Sequence, residues 1–312
     1  MRRALILGLV TSIAACGSDP SEGDDDPIVV GDTPAFTITS ADITLQPGEE
    51  NTYCFYFHTP NTTTAAVGKW VSDMTAGSHH MIYFSNLTGD QPADGTVDDC
   101  NLGGSAVPLP VYGTQIAHEE VVFPTDDGQG NPLGQEISPN TAGFFQMHYL
   151  NATDQPLTAH VTLEAYALPE TATYTKTDLF ATYNSDIAIP PGATNFVVSA
   201  TCDVVNGKFW SMSSHSHKQS IATSISDGAA TVFSSTDWEH PGTLRFDPDF
   251  YQFSSQITWS CTYNNTGDNA AQTVYAGQSA QTNEMCMATG YYFPARGPKG
   301  CFFSDGACQC LL

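Results

Sequence analysis

The sequence predicts an all-β protein of two tandem β-sandwich domains, and three observations predict it. Charged residues make up only 13% of the chain, while 26 glycines, 19 prolines and abundant Ser, Thr and Asn suit short strands joined by many turns. Short β-prone runs recur on both sides of a featureless stretch at residues 169–177, and no long amphipathic helical pattern interrupts them. At 312 residues the chain exceeds the size at which one hydrophobic core is usual, so two domains are expected.

Residues 1–16 open the chain as a secretion signal: Arg2 and Arg3 form a basic start, residues 4–13 an apolar stretch, and Ala14-Ala15-Cys16 a small-residue end. The segment resembles a bacterial lipoprotein signal, in which cleavage precedes a cysteine that is then lipidated, here Cys16; an ordinary secretory peptide is the alternative. Residues 17–34 begin as an acidic stretch too hydrophilic to pack, as expected of a tether between a lipid anchor and a folded body. No later stretch approaches the ~20 apolar residues of a spanning helix. The expected location is the bacterial cell envelope, periplasmic or at the surface, with the membrane touched only through the anchor. With 33 acidic residues against 9 basic ones, the net charge of -24 disfavours nucleic acid and anionic membrane surfaces as partners.

The first domain is expected over residues 35–168, with strands at 36–39, 52–57, 81–84, 144–149 and 159–163. The second is expected over 169–312, with strands at 195–198, 207–212, 230–233 and 256–263. Stretches rich in Gly, Asp and Pro at 89–108 and 126–140 read as surface loops. Setting Cys16 aside leaves Cys54, Cys100, Cys202, Cys261, Cys286, Cys301, Cys308 and Cys310, an even set that predicts four disulfides in an oxidising compartment. Spacing assigns no partners, since eight cysteines allow more than a hundred arrangements. A thiolate metal site is the rival use, but no CxxC pair occurs.

Five of the nine histidines stand in tight contexts: His79-His80, His148 and His215-Ser216-His217. Imidazole is the commonest metal-binding side chain, and residues i and i+2 of a strand share a face, so His215 and His217 can hold one ion without distorting the backbone. On local pattern alone an HxH run also suits a solvated edge strand. His79 and His80 differ, because neighbours on a regular strand point to opposite faces; joint ligation requires a bulge, a strand end or the use of unlike ring nitrogens. His148, between Met147 and Tyr149, reads equally as a hydrogen-bonded, half-buried histidine. Asn283-Glu284-Met285-Cys286-Met287 adds thioethers, which serve as core filling or as soft ligands that select Cu(I).

Taken in order, HHM at 79–81, MHY at 147–149 with Asn151 following, HSH at 215–217 and EMC at 284–286 ahead of Tyr291-Tyr292-Phe293-Pro294 resemble the copper type II, ascorbate-dependent monooxygenases. That family includes peptidylglycine α-hydroxylating monooxygenase and dopamine β-monooxygenase. The resemblance runs from about Thr52 to Cys301 and includes six copper-ligand positions in order. It implies two jelly-roll-like antiparallel sandwiches facing each other across a solvent-filled cleft, with two coppers per chain. His79, His80 and His148 would hold an electron-storage copper, and His215, His217 and Met285 the catalytic, oxygen-activating one. It also implies disulfides Cys54–Cys100, Cys261–Cys286 and Cys202–Cys301, with Cys308 and Cys310 fitting less well.

The implied activity is hydroxylation of a C–H bond in a small-molecule or peptide-like substrate by O2, with ascorbate or a similar electron donor. Family members that amidate peptides carry an arginine two residues before HxH and a tyrosine four after the ligand methionine; Ser213 and Thr289 stand there, so a peptide gripped by its carboxylate is not expected. Trp238-Glu239-His240-Pro241 reads either as a surface loop or as a segment that reaches the second copper. Two other functions compete: a copper-scavenging lipoprotein without turnover, and a surface-display sandwich with structural metal. Structural sites usually close on four ligands, whereas each set here offers three.

Overall fold

The computed structural model describes residues 30–100, 108–203 and 207–311. Cys16, the signal segment and most of the acidic tether lie outside them. Every regular element in the described residues is a strand, so the chain is all-β.

The first half forms two facing sheets. One runs in the order Phe36–Thr39, Val161–Ala167, Ala65–Met74, Leu133–Ile137, with His118–Val122 also on Ala65–Met74. The other runs Val97–Asp99, Glu50–His58, Ala142–Leu150, Ser78–Asn86, Pro108–Thr114. Period-2 alternation turns Val161, Leu163 and Ala165 inward, where they join residues of the opposite sheet in one core. Trp70 sits at the middle of this sandwich, 6.3 Å from Tyr83 and 5.8 Å from Tyr112 of the facing sheet. Its indole N–H donates to Gln135 Oε1 at 2.8 Å, as a buried indole requires.

The second half repeats the plan. Leu244–Arg245, Lys208–Ser216, Cys286–Phe293, Asp178–Asn184, Lys299–Ser304 and Ala307–Leu311 form one sheet, and Phe196–Asp203, Gln256–Tyr263, Ser220–Asp227 and Ala230–Ser235 the other. Gln256–Tyr263 buries every second residue, and Ile257, Trp259, Cys261 and Tyr263 meet Phe180, Met212 and Ala288 across the core. Lys208–Ser216 and Cys286–Phe293 pack closely because Gly290 lies against the Ser211 carbonyl, which any Cβ there would strike.

Four disulfides close the fold, and they place it in an oxidising, extracytoplasmic environment. Cys54–Cys100 and Cys261–Cys286 pair as the resemblance implies. Cys202–Cys301 does not form: Cys202 bonds Cys308, and Cys301 bonds Cys310. The reason is a C-terminal hairpin, in which Lys299–Ser304 and Ala307–Leu311 run antiparallel with Cys301 directly opposite Cys310. That leaves Cys308 for Cys202, on the facing sheet.

One ladder crosses between the halves: Thr175–Lys176, within the expected junction, pairs parallel with Leu133–Ile137. Part of the contact between halves is apolar and part is polar, the latter including Gln135 with Asp178 and Thr175 with Asp127. Leu179, Trp210, Tyr291 and Phe293 of the second half join the first core, and Phe123 lies 5.1 Å from Trp210 and 5.3 Å from Tyr291. Aromatic packing therefore occupies this part of the boundary, where the resemblance implies a solvent-filled cleft.

Candidate metal centre

The strand end that carries His79 and His80 is irregular. His80 pairs directly with His148 across the sheet, yet the next pair is Ser78 with Tyr149, so His79 is the extra residue of a β-bulge. The bulge lets adjacent residues reach one point: His79 Nδ1 and His80 Nδ1 lie 3.0 Å apart. One ring nitrogen from each of His79, His80 and His148 falls within 4.8 Å of the others, the size of a single ion's coordination sphere.

On the other half, Ser216 pairs with Cys286 at the last rung of the ladder. One further step of that register sets His217 opposite Met285, just beyond the ladder's end. The rings of His215 and His217 share a side, as i and i+2 should, with centroids 5.3 Å apart. Met285 is held by its backbone: its carbonyl accepts the Tyr263 hydroxyl at 2.7 Å, and its N–H donates to Glu284 at 3.3 Å.

The two sets adjoin. The His80 and His215 rings meet edge to face at 5.2 Å, so five imidazoles form one continuous cluster. Four of the five are buried, with relative exposures of 6% for His80, 2% for His148, 8% for His215 and 0% for His217, and His79 is half-buried. Burial pulls His79, His148 and His217 down to about 4, and His80 and His215 well below their ordinary value. All five are neutral at pH 7 and offer lone pairs rather than charge.

The outer hydrogen bonds decide which nitrogen is free. His148 Nε2 lies 2.9 Å from Glu50 Oε1, and its Nδ1 is buried without a partner. His217 Nδ1 lies 3.1 Å from the Asn283 carbonyl, and its Nε2 is buried without a partner. His79 Nε2 is likewise unpartnered. Orphaned buried ring nitrogens are costly unless something binds them. An outer partner on one nitrogen with the other left bare is the arrangement of metal-binding histidines.

Several participants were not among the expected ligands. Glu284, 0% exposed, accepts the backbone N–H groups of His217 at 2.9 Å and Gln219 at 2.7 Å as well as that of Met285, and so ties the HxH segment to the methionine. Burial raises its carboxyl to about 8, against those three donors. Glu50 is raised by burial, opposed by Lys218 and the Ala280 and Gln281 N–H groups of the second half. Gln115 reaches from the first half to His215, with its Oε1 2.7 Å from Nδ1. Only Glu284, lying inside the EMC run, had any sequence signal.

Ser213 and Thr289 face each other across neighbouring strands, and Ser213 donates to the Gly242 carbonyl at 2.6 Å. Trp238 stacks on His79 at 5.4 Å, while Glu239 and His240 beside it are exposed, so the segment is a surface loop whose ring contact is with the first histidine set. The sulfurs of Cys202, Cys301, Cys308 and Cys310 also cluster within 4.8 Å, but all four are spent in disulfides.

No protein-family model matches the chain, and no curated protein matches it in sequence. Among solved structures it is similar to the naturally empty top component of cowpea mosaic virus, at 8% identity and TM-score 0.34 over 88% of this chain and 94% of that one. It is also similar to the STIV MCP, at 7% identity and TM-score 0.33 over 82% and 96% of the two chains. PNGase F, a glycosylasparaginase from Flavobacterium meningosepticum, matches at 10% identity and TM-score 0.33 over 88% and 100%. Likenesses this distant say nothing of function.

Proposed function

We propose that the chain is a copper-dependent monooxygenase that hydroxylates an organic substrate C–H bond with O2 and an external reductant such as ascorbate. The observation that carries this reading is the single, largely buried cluster of five neutral imidazoles, three of which (His79, His148 and His217) keep a buried ring nitrogen without a partner, built from two sets of unlike chemistry. His79, His80 and His148 would hold the copper that stores an electron, and His215, His217 and Met285 the copper assigned to oxygen activation. A thioether beside two imidazoles favours Cu(I) and suits a redox ion better than Zn, Mg or Ca. Copper held there would supply one-electron redox chemistry and dioxygen activation.

The protein's own groups support this. Glu50 and the Asn283 carbonyl each occupy one nitrogen of a ligand histidine and leave the other bare. Glu284 fixes the spacing between the HxH run and Met285. Trp238 stacks on the His79 ring. Hydroxylation of a C–H bond by O2 consumes two electrons and two protons and releases water, so an external two-electron donor balances the turnover. A lipid anchor at Cys16 would hold the enzyme in the bacterial cell envelope, consistent with its four disulfides.

The test is ascorbate-dependent oxygen uptake by the copper-loaded chain against a panel of candidate substrates. The expected result is substrate-dependent uptake that Met285→Ala abolishes. Tight copper binding with no uptake under any substrate would favour the scavenging lipoprotein instead.

A further inference from the structure

We infer that Gln115 is a positioning residue that sets the tautomer of His215 from across the boundary between the halves, so that docking of the halves completes the second metal-binding set. The inference rests on the reading of His215 as a metal ligand.

Gln115 directly follows the strand Pro108–Thr114 of the first half. Its Nε2 lies 3.3 Å from the Ser214 carbonyl, and its Oε1 lies 2.7 Å from His215 Nδ1. A carbonyl only accepts, so the NH2 must face Ser214, which turns the amide oxygen toward the ring. That oxygen also only accepts, so Nδ1 must carry the hydrogen. A neutral imidazole has one N–H, and Nε2 is therefore left as a bare lone pair. A free neutral histidine in water prefers the opposite tautomer, with hydrogen on Nε2. Without Gln115 the ring would present a hydrogen where a cation needs a lone pair. His217 obtains its equivalent partner, the Asn283 carbonyl, from its own half, so of the two only His215 depends on docking.

The test uses the full chain and two readouts. In the metal-free, 15N-histidine-labelled protein at neutral pH, NMR should show His215 protonated at Nδ1 and bare at Nε2, the signal being assigned by its loss in His215→Gln. Gln115→Leu should move it toward the Nε2–H form, and Gln115→Glu, which keeps an acceptor, should restore Nδ1–H. In Cu(I) competition against a chromogenic chelator, Gln115→Leu should weaken one of two ions by about 10–100-fold and spare the other, with Gln115→Glu close to wild type. An Nε2–H ring in the wild type, or Gln115→Leu indistinguishable from wild type in both readouts, overturns the inference. If the wild type shows the Nδ1–H ring but takes up no copper, the positioning role stands and the metal reading falls.

Discussion

Glu284 shows how much of the centre rests on one side chain. Its carboxylate answers three backbone N–H groups inside the protein, and each group left without an acceptor costs about 1–3 kcal/mol. Glu284→Ala should destabilise the chain by about 3 kcal/mol or more and lower copper uptake at the His215, His217 and Met285 set. A urea midpoint within a few tenths of a molar of wild type would contradict this. The histidines themselves were legible from composition and spacing. The HxH geometry needed only strand periodicity, whereas the HH pair left a bulge, a strand end or unlike ring nitrogens open, and the register shift at His148/Tyr149 selects the bulge. Gln115 and Glu50 were not legible, and Trp238 was legible only as part of a segment that reads either as a surface loop or as reaching the second set, not as a contact of His79. They act across long sequence separations, and nothing local distinguishes them from surface Gln, Glu or loop Trp.

Among elements, strands dense in aromatic and β-branched residues are legible in the sequence, including Ala142–Leu150, which is buried on both faces, whereas strands diluted by small or polar residues are not. Gln256–Tyr263 was read with its full bounds because its buried positions are aromatic, apolar or cysteine. Ala65–Met74 escaped although Lys69 and Asp73 lie on its outer face as alternation requires, because Val71 also faces outward and the inward Ser72 is polar, buried against the Tyr112 hydroxyl at 2.8 Å. The stretch 126–140, read as a loop, contains the strand Leu133–Ile137, and 89–108 contains Val97–Asp99. Turn-rich composition hid both. The C-terminal hairpin was missed as well, and with it the disulfide order. Non-reducing peptide mapping should recover Cys202 with Cys308 and Cys301 with Cys310; recovery of Cys202 with Cys301 would refute the hairpin register. Replacing Cys202 and Cys308 together by serine should cost about 2–4 kcal/mol, measured by thermal unfolding, because that bond closes a separation of 106 residues and joins facing sheets.

For the whole molecule, the boundary between halves is the feature that the resemblance described least well. It implies a wet cleft, whereas Phe123 packs on Trp210 and Tyr291, and His80 packs on His215. Asp178 lies in this boundary, accepting from Gln135 Nε2 at 2.8 Å, and burial raises its carboxyl from 3.8 to about 7. Between those values the folded chain keeps a proton that the unfolded chain has lost. Stability from this group is therefore full below about pH 4, falls as pH rises to 7 and is flat above, a change on the order of 4 kcal/mol. Asp178→Asn cannot lose that proton. The variant should gain on wild type by a few kcal/mol in denaturant unfolding between pH 4 and pH 7, and a gap that stays constant with pH would contradict the assignment.

The proposed function requires this boundary to gather two metal-binding sets, one all nitrogen and one with a sulfur. X-ray absorption at the copper edge of the fully loaded Cu(I) protein, with metal content measured on the same sample, tests it most directly. Two coppers per chain sharing a single sulfur scatterer, which disappears in Met285→Ala while the imidazole scattering persists, is the expected result. One copper per chain, or two with no sulfur contribution in the wild type, would contradict it.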